Sequence, residues 1–288
     1  MAYPFPHDEL EHDRLDLFHH MIYRVALQGN LYLSQLYVPT GPVRVLDIGH
    51  GTSFWLLDMC DDFGRKGIEC MLRGIDLCPC CDARPRPESD LELRAPVDFE
   101  NDDWGFNGQQ FDLIHVAQLC GSVSDWRALF DRVRRHLVPG TGRLEWIEMD
   151  WEPRCDDGSL QPNSPINTWW RFMCEATRTT GRPIEYPSQA GELLDSLGLM
   201  VEKDQRIMVR TWEEMQATDK YHNSIARCFR TAMGSHSAGD ECRSYSGMAM
   251  ALFTQVLQPR WGPEHVERMQ DDIYPLVNSR AVHMYSRL

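Results

Sequence analysis

Two acids, each set in an apolar run, carry the most specific chemistry of this sequence. Asp47 lies near the end of Val43-Arg44-Val45-Leu46-Asp47-Ile48 and is followed by Gly49 and Gly51, while Asp76 closes the run 70–77. Glycines at that point let the chain turn sharply and let a ligand approach the backbone. Asp76 falls 27 residues beyond Gly49, close to the spacing at which an acid after a second strand takes ribose hydroxyls, because a carboxylate accepts two hydrogen bonds from a diol. Neither Gly-x-Gly-x-x-Gly nor a phosphate-loop Lys follows the first run, so a polyphosphate is poorly served. A ligand with hydroxyls and a positive charge suits the acids better. S-adenosylmethionine, a sulfonium with an amino-acid end and a ribose, has both.

Methyl transfer from such a donor is an in-line displacement, so holding the acceptor near the methyl group in a dry site supplies most of the rate. A base is needed only for a poorly acidic hydroxyl or a protonated amine. The polar groups positioned to act are His115, His19, His20 and Glu148, with Gln118 at a strand end. His115 also reads as a hydrogen-bonded interior residue, and Glu148 as a brace for loops. Trp169, Trp170 and Phe172, with Met248, Met250 and Phe253, could line a pocket for an apolar acceptor, or form plain core. Cys78 and Cys81 form a Cys-x-x-Cys without a second pair at suitable spacing, so no metal is expected.

The elements that must position these groups follow from periodicity. Residues 8–33 carry a helical apolar stripe, with acids crowding its start where the helix dipole favours them. Strands are predicted at 43–48, 70–77, 91–97, 111–118 and 143–149, and helices at 52–63 and 124–137, the latter capped by Ser124 or Asp125. Strand and helix alternate as a parallel sheet with crossover helices demands. Beyond Asp150 the rhythm changes to a loop at 154–163, helices near 168–172 and 189–197, a strand over 199–209, and helices at 213–233, 245–257 and 263–274. The expected fold is therefore α/β, a doubly wound, mostly parallel Rossmann-like sheet with an N-terminal helix and a C-terminal helical lid. It forms one domain over 1–288: a helical cap at 1–42, a cofactor-binding core at 43–150, and substrate-side helices and remaining strands at 151–288.

Composition narrows the partners. The 288 residues carry 43 acids against 29 Lys and Arg, a formal charge of −14. Such a surface repels phosphate backbones and anionic membranes, so neither nucleic acid nor membrane is an expected partner. No apolar run approaches the roughly 20 residues that cross a bilayer, and the acidic start lacks a signal peptide's basic and apolar regions. The ten cysteines, scattered in apolar surroundings, read as reduced thiols, which fits a cytoplasmic chain.

The segments RLDLFHH (14–20), VLDIGHGTSFWLLDM (45–59), GIDLCP (74–79), FDLIHVAQLCGSVSDW (111–126) and ALFTQVL (251–257) together resemble the class I S-adenosylmethionine-dependent methyltransferases, and more narrowly the fungal LaeA-like family of secondary metabolism. The resemblance implies that Asp47, Gly49 and Gly51 hold the methionine end of S-adenosylmethionine. Asp76 would take the ribose, Leu77 the adenine face, and Asp98 and the Phe99 backbone the adenine amino group. Ala117 and Gln118 would face the sulfonium, and the first helix, with His20, would lie over the cleft. The chain departs from the family pattern at His50, Ser53 and Gln118, where small residues, glycine and arginine are usual, and its closing strand is short or absent. The implied activity is methyl transfer to an O, S or N atom of a small secondary metabolite. A LaeA-like regulator acting in the nucleus through protein partners, or a cofactor-binding isomerase or cyclase, would use the same fold. A homodimer or a regulatory protein is the expected macromolecular partner.

Overall fold

A computed structural model describes residues 5–78, 90–213, 219–234, 236–237, 240–241, 262, 264 and 268–288. Its centre is a parallel sheet of β1 (Val43–Ile48), β2 (Cys70–Ile75), β3 (Leu91–Arg94), β4 (Leu113–Ala117) and β5 (Arg143–Ile147), in the order β3-β2-β1-β4-β5. The chain starts at β1, winds out to β3, then crosses back to β4. That reversal leaves the carboxyl ends of β1 and β4 side by side without a covering crossover, which is where ligands enter such sheets.

β1 is buried on both faces, which is why its run is apolar except at Arg44 and Asp47. Val43 and Val45 pack into one core with Trp55, Leu56 and Phe63, and Leu46 and Ile48 into a second with Phe111, Ile114 and Val133 on the opposite face. The register sets Asp47 beside Gly74 of β2 and His115 of β4. Helix α2 (Phe54–Lys66) follows β1 and ends at Gly67 in the left-handed conformation, while α3 (Trp126–His136) is capped by Asp125, whose carboxylate accepts the Ala128 N–H at 3.0 Å. Of the two predicted caps, it is Asp125 that closes the helix.

The N-terminal stripe is not one helix. α1 (Glu9–His19) passes directly into a π-helical segment (His20–Ala26), and Gln28 and Gly29, both at positive φ, end it. A stripe of apolar residues does not distinguish α from π spacing, so the break escaped periodicity. Leu31 to Pro42 is irregular.

After β5 the chain forms β6 (Asp150–Arg154), where the sequence predicts a change of rhythm and then a loop. The short alternation around Pro153 hid this strand. Helices α4 (Pro165–Thr179) and α5 (Ala190–Ser196) follow, then β7 (Met208–Arg210), α6 (Lys220–Gly234), a two-stranded ribbon of β8 (His236–Ser237) and β9 (Asp240–Glu241), α7 (Met269–Val277) and β10 (Tyr285–Arg287). β6, β10 and β7 make a second, antiparallel sheet in that order. The strand predicted over 199–209 is thus confined to its last residues: β10 offers only a short ladder, and residues 200–206 stay exposed. The predicted helix at 245–257 lies outside the described residues.

α6 packs across α1 and the π segment, with Phe18 edge-on to Phe229 at 6.1 Å and the Tyr221 hydroxyl donating to Ala26 O at 2.8 Å. Among the described residues, no helix is long and apolar enough to cross a membrane.

Candidate functional site

The β1–α2 turn builds a cradle from two left-handed glycines. Gly49 (φ 72°) lies so close to Leu119 that a Cβ would stand 2.7 Å from its Cδ2, and Gly51 (φ 50°) presents its N–H to Asp76 Oδ2 at 2.9 Å. Asp76 Oδ1 accepts the Cys78 N–H at 2.8 Å. Both carboxylate oxygens are therefore oriented by backbone, and each keeps a further lone pair for a ligand hydroxyl.

The two odd residues of this turn explain each other. Ser53 (φ 64°) is fully buried and its Oγ lies 2.8 Å from His50 Nδ1, which also meets Gly51 O at 3.1 Å. A Cβ at position 74 would come within 2.8 Å of His50 Cδ2. Gly74 thus makes the room that the imidazole fills, and the His50–Ser53 bond ties the turn in place of the usual glycine.

At the β1 and β4 ends, His115 is 2% exposed and stacks on Trp55, with centroids 3.8 Å apart and planes at 8°. Its Nδ1 lies 2.7 Å from Asp47 Oδ1 and its Nε2 lies 2.6 Å from the Tyr23 hydroxyl. A carboxylate accepts, so Nδ1 carries the proton, Nε2 accepts, and the Tyr23 O–H donates. Burial, then the Asp47 carboxylate, pushes the Tyr23 phenol well above its ordinary range. Its remaining lone pairs belong to an uncharged oxygen.

The roof is the inner face of α1 and the π segment. His19, not His20, lines the cleft: His20 is exposed, whereas His19 Nε2 meets Asp58 Oδ2 at 2.9 Å and rests against Tyr23 at 4.8 Å. Of the two histidines the sequence singles out on this helix, only His19 is turned into the cleft. Burial holds the His19 imidazole below its usual value, against the opposing pull of Asp58. One turn or more upstream, Asp16 accepts a hydrogen bond from Thr52, and burial raises its pKa. His12 Nε2 and Asp16 Oδ1 are buried without a hydrogen-bond partner among the described residues. His12 lines the cleft.

Leu77, Asp98, Phe99, Ala117 and Gln118 also line it. Asp98 accepts the Glu100 N–H at 2.9 Å, the Phe99 carbonyl takes the Trp104 indole N–H at 3.1 Å, and Gln118 stands at φ 55° just past β4. Glu148 lies behind that loop and not in the cleft. It accepts the N–H groups of Leu119 (2.8 Å) and Cys120 (3.1 Å) and the Trp146 indole (3.1 Å), and burial raises its pKa to about 7. The arrangement is that of a brace.

Trp169 is buried in α4 and Trp170 is half-buried beside it, and neither borders the cleft. Phe253, Met248 and Met250 lie outside the described residues, as does Cys81. Among the described residues no three His, Cys, Asp or Glu side chains are grouped to hold a metal. Tyr23 and Arg182 also line the cleft, though the sequence reading did not single them out. Tyr23 shares a helical face with His19 one turn back, a pairing that could have been read. Arg182, which donates to Ser122 O at 3.0 Å and to Glu100, comes from beyond α4.

A cation with a diol and an amino-acid end fits this donor and acceptor set: oriented carboxylates, left-handed glycines and an uncharged roof oxygen. The profile of the methyltransferase domain family matches residues 17–226. The secondary metabolism regulator LAE1 of Cochliobolus heterostrophus is 32% identical over 99% of this chain and 87% of its own length. The secondary metabolism regulator laeA of Aspergillus fumigatus is 32% identical over 99% of this chain and 70% of its own. A protein-methionine methyltransferase laeA of Emericella nidulans is 31% identical over 99% and 70%. On fold, site and likeness together, the chain belongs to the S-adenosylmethionine-dependent methyltransferases, within their LaeA-like family.

Proposed function

We propose that this chain transfers the methyl group of S-adenosylmethionine to a neutral sulfur, the thioether of a protein side chain, in the regulation of secondary metabolism. The cofactor supplies an electrophilic methyl group on a sulfonium; a thioether attacks it without losing a proton, so no base is required. The observation that carries this reading is the mutual engagement of the polar groups at the β1 and β4 ends. His115 is held through both ring nitrogens, by Asp47 and by Tyr23, so the imidazole at the end of β4 has no free nitrogen to take a proton from an acceptor. The names of the relatives, secondary metabolism regulators and a protein-methionine methyltransferase, support both the acceptor and the role.

In this reading Asp47, Gly49 and Gly51 hold the amino-acid end, with His12 Nε2 as a further polar group. Asp76 takes the ribose, and Leu77, Asp98 and Phe99 frame the adenine. Ala117, Gln118 and the Tyr23 oxygen face the sulfonium. Trp55, buried and stacked on His115, keeps water from that side of the reacting end, which strengthens the pull of the fixed dipoles there.

Purified chain incubated with methyl-labelled cofactor and a fungal extract tests this. The label is expected in protein, resistant to prior thiol alkylation and lost when methionines are oxidised beforehand. Label confined to the metabolite fraction would replace the protein thioether with an O, S or N atom of a small molecule. Tight cofactor binding without any transfer would favour an isomerase or cyclase.

A further inference from the structure

The second large concavity of the molecule lies away from the cofactor cleft, along the outer edge of β5. The N–H of Arg143 donates to Asp112 O and the N–H of Gln118 donates to Ile147 O, so the odd-numbered residues of β5 bond to β4. Leu144 and Trp146 therefore turn their backbone N–H and C=O groups outward. Among the described residues nothing bonds them. An unpaired strand edge is a template for another strand.

Beside this edge runs a groove of about 1200 Å³, bounded by Leu33 and Ser34 on one side and by residues 199–207 on the other. Residues 200–206 all stand exposed, with Met200 at 85% and Val201 at 45%. Its charge differs from that of the chain as a whole. Each lining acid is already engaged: Glu145 accepts the Leu33 and Ser34 N–H groups, Glu148 accepts those of Leu119 and Cys120, and Asp150, Glu202 and Asp204 pair with Arg154, Arg143 and Arg206. Lys203 and Arg287 line the same groove and form no ion pair among the described residues. Spare positive charge thus sits beside an open strand edge, on a chain whose formal charge is −14.

We propose that the β5 edge is a docking site for an extended acidic segment of a partner protein, which adds a strand beyond β5. Main-chain bonds to Leu144 and Trp146 supply the affinity, as in strand addition generally. Acidic side chains on alternate residues meet Lys203 and Arg287, and the intervening apolar ones cover Met200 and Val201. Pairing two such edges would set the Lys203 and Arg287 charges of one copy against those of the other, and that like-charge contact selects against edge-to-edge self-pairing.

Selection of short random peptides displayed against the full chain tests this. Peptides that alternate apolar residues with Asp or Glu are expected. Their binding should weaken about tenfold in Lys203→Glu/Arg287→Glu, and should be lost when alternate amides on one edge of the peptide, but not the other, are N-methylated. Hydrogen exchange of the Leu144 and Trp146 amides should be fast in the free chain and slow in the complex. The proposal is overturned if no peptide is selected, if Lys- and Arg-rich peptides prevail, or if N-methylation on either edge is harmless. It is equally overturned if those two amides are already protected in the free chain because a second copy covers them. None of these readouts involves methyl transfer, so they stand apart from the assay of that activity.

Discussion

Tyr23→Phe separates a positioning role from an acid–base role at the reacting end. The substitution removes one oxygen from a side chain that is 2% exposed and leaves the ring in place against His19 (4.8 Å) and His115 (5.9 Å). What is lost is the 2.6 Å bond to His115 Nε2. The imidazole cannot turn to find another donor, because Nδ1 is bound to Asp47 and the ring is sandwiched flat on Trp55. A buried acceptor left without its donor costs about 1–3 kcal/mol. In a thermal scan that is a fall of roughly 2–4 °C per kcal/mol. Positioning by an uncharged oxygen contributes little to the chemical step itself, so the single-turnover rate should fall by less than about tenfold. The pH dependence of that rate should keep its shape. A general acid or base contributes on the order of 10²–10⁴; a fall of that size, or the loss of an ionisation from the rate profile, would refute the proton-free scheme.

Three further outcomes follow from the geometry. Glu148 has a folded-state pKa of about 7 against an ordinary 4.5, so its contribution to stability is complete below about pH 4.5 and disappears as pH rises through 7. The difference amounts to about 3 kcal/mol. Glu148→Gln should flatten that part of the stability–pH curve measured by urea unfolding, and an unchanged slope would show that the burial cost is offset by the three N–H donors. Asp76→Ala removes the proposed ribose acceptor and strands the Gly51 and Cys78 N–H groups; calorimetry should show S-adenosylmethionine binding weakened by about 10²-fold, and wild-type affinity would displace Asp76 from the site. Gly74→Ala drives a Cβ to within 2.8–2.9 Å of His50, Leu93 and Leu56 and should cost about 1–3 kcal/mol in denaturant unfolding, with no loss at all speaking against the tight seat of His50.

The floor of the site was legible because it is local. Asp47, Gly49, Gly51 and Asp76 sit in short apolar runs whose pattern declares strand, turn and helix, and the register of a parallel sheet then brings His115 to Asp47. The roof was legible only in outline. Of the two adjacent histidines named there, His19 lines the cleft and His20, the one the resemblance implied, does not. Glu148 could be read as an acid at a strand end, but its partners are backbone amides, which carry no sequence signature. The meaning of His50 and Ser53 depended on Gly74, a residue of the adjacent strand β2. Residues beyond β5 were hardest, since β6, β7 and β10 are short and β10 pairs with strands far back in the chain, Tyr285 meeting Arg154 of β6 and Arg210 of β7.

The seating of the roof on α6 has a consequence for biogenesis. Residues 5–147 contain the strands of the parallel sheet and nearly every cleft-lining side chain, Arg182 being the exception. Yet Ala26 is tied to Tyr221 and Phe18 to Phe229. A nascent chain growing at roughly 5–20 residues per second therefore exposes a nearly complete floor for several seconds before the buttress of its first helix has been synthesised. During that interval His19 and Tyr23 already have Asp58 and His115 to settle on, while Phe18 and Ala26 still lack the helix that covers them in the finished chain.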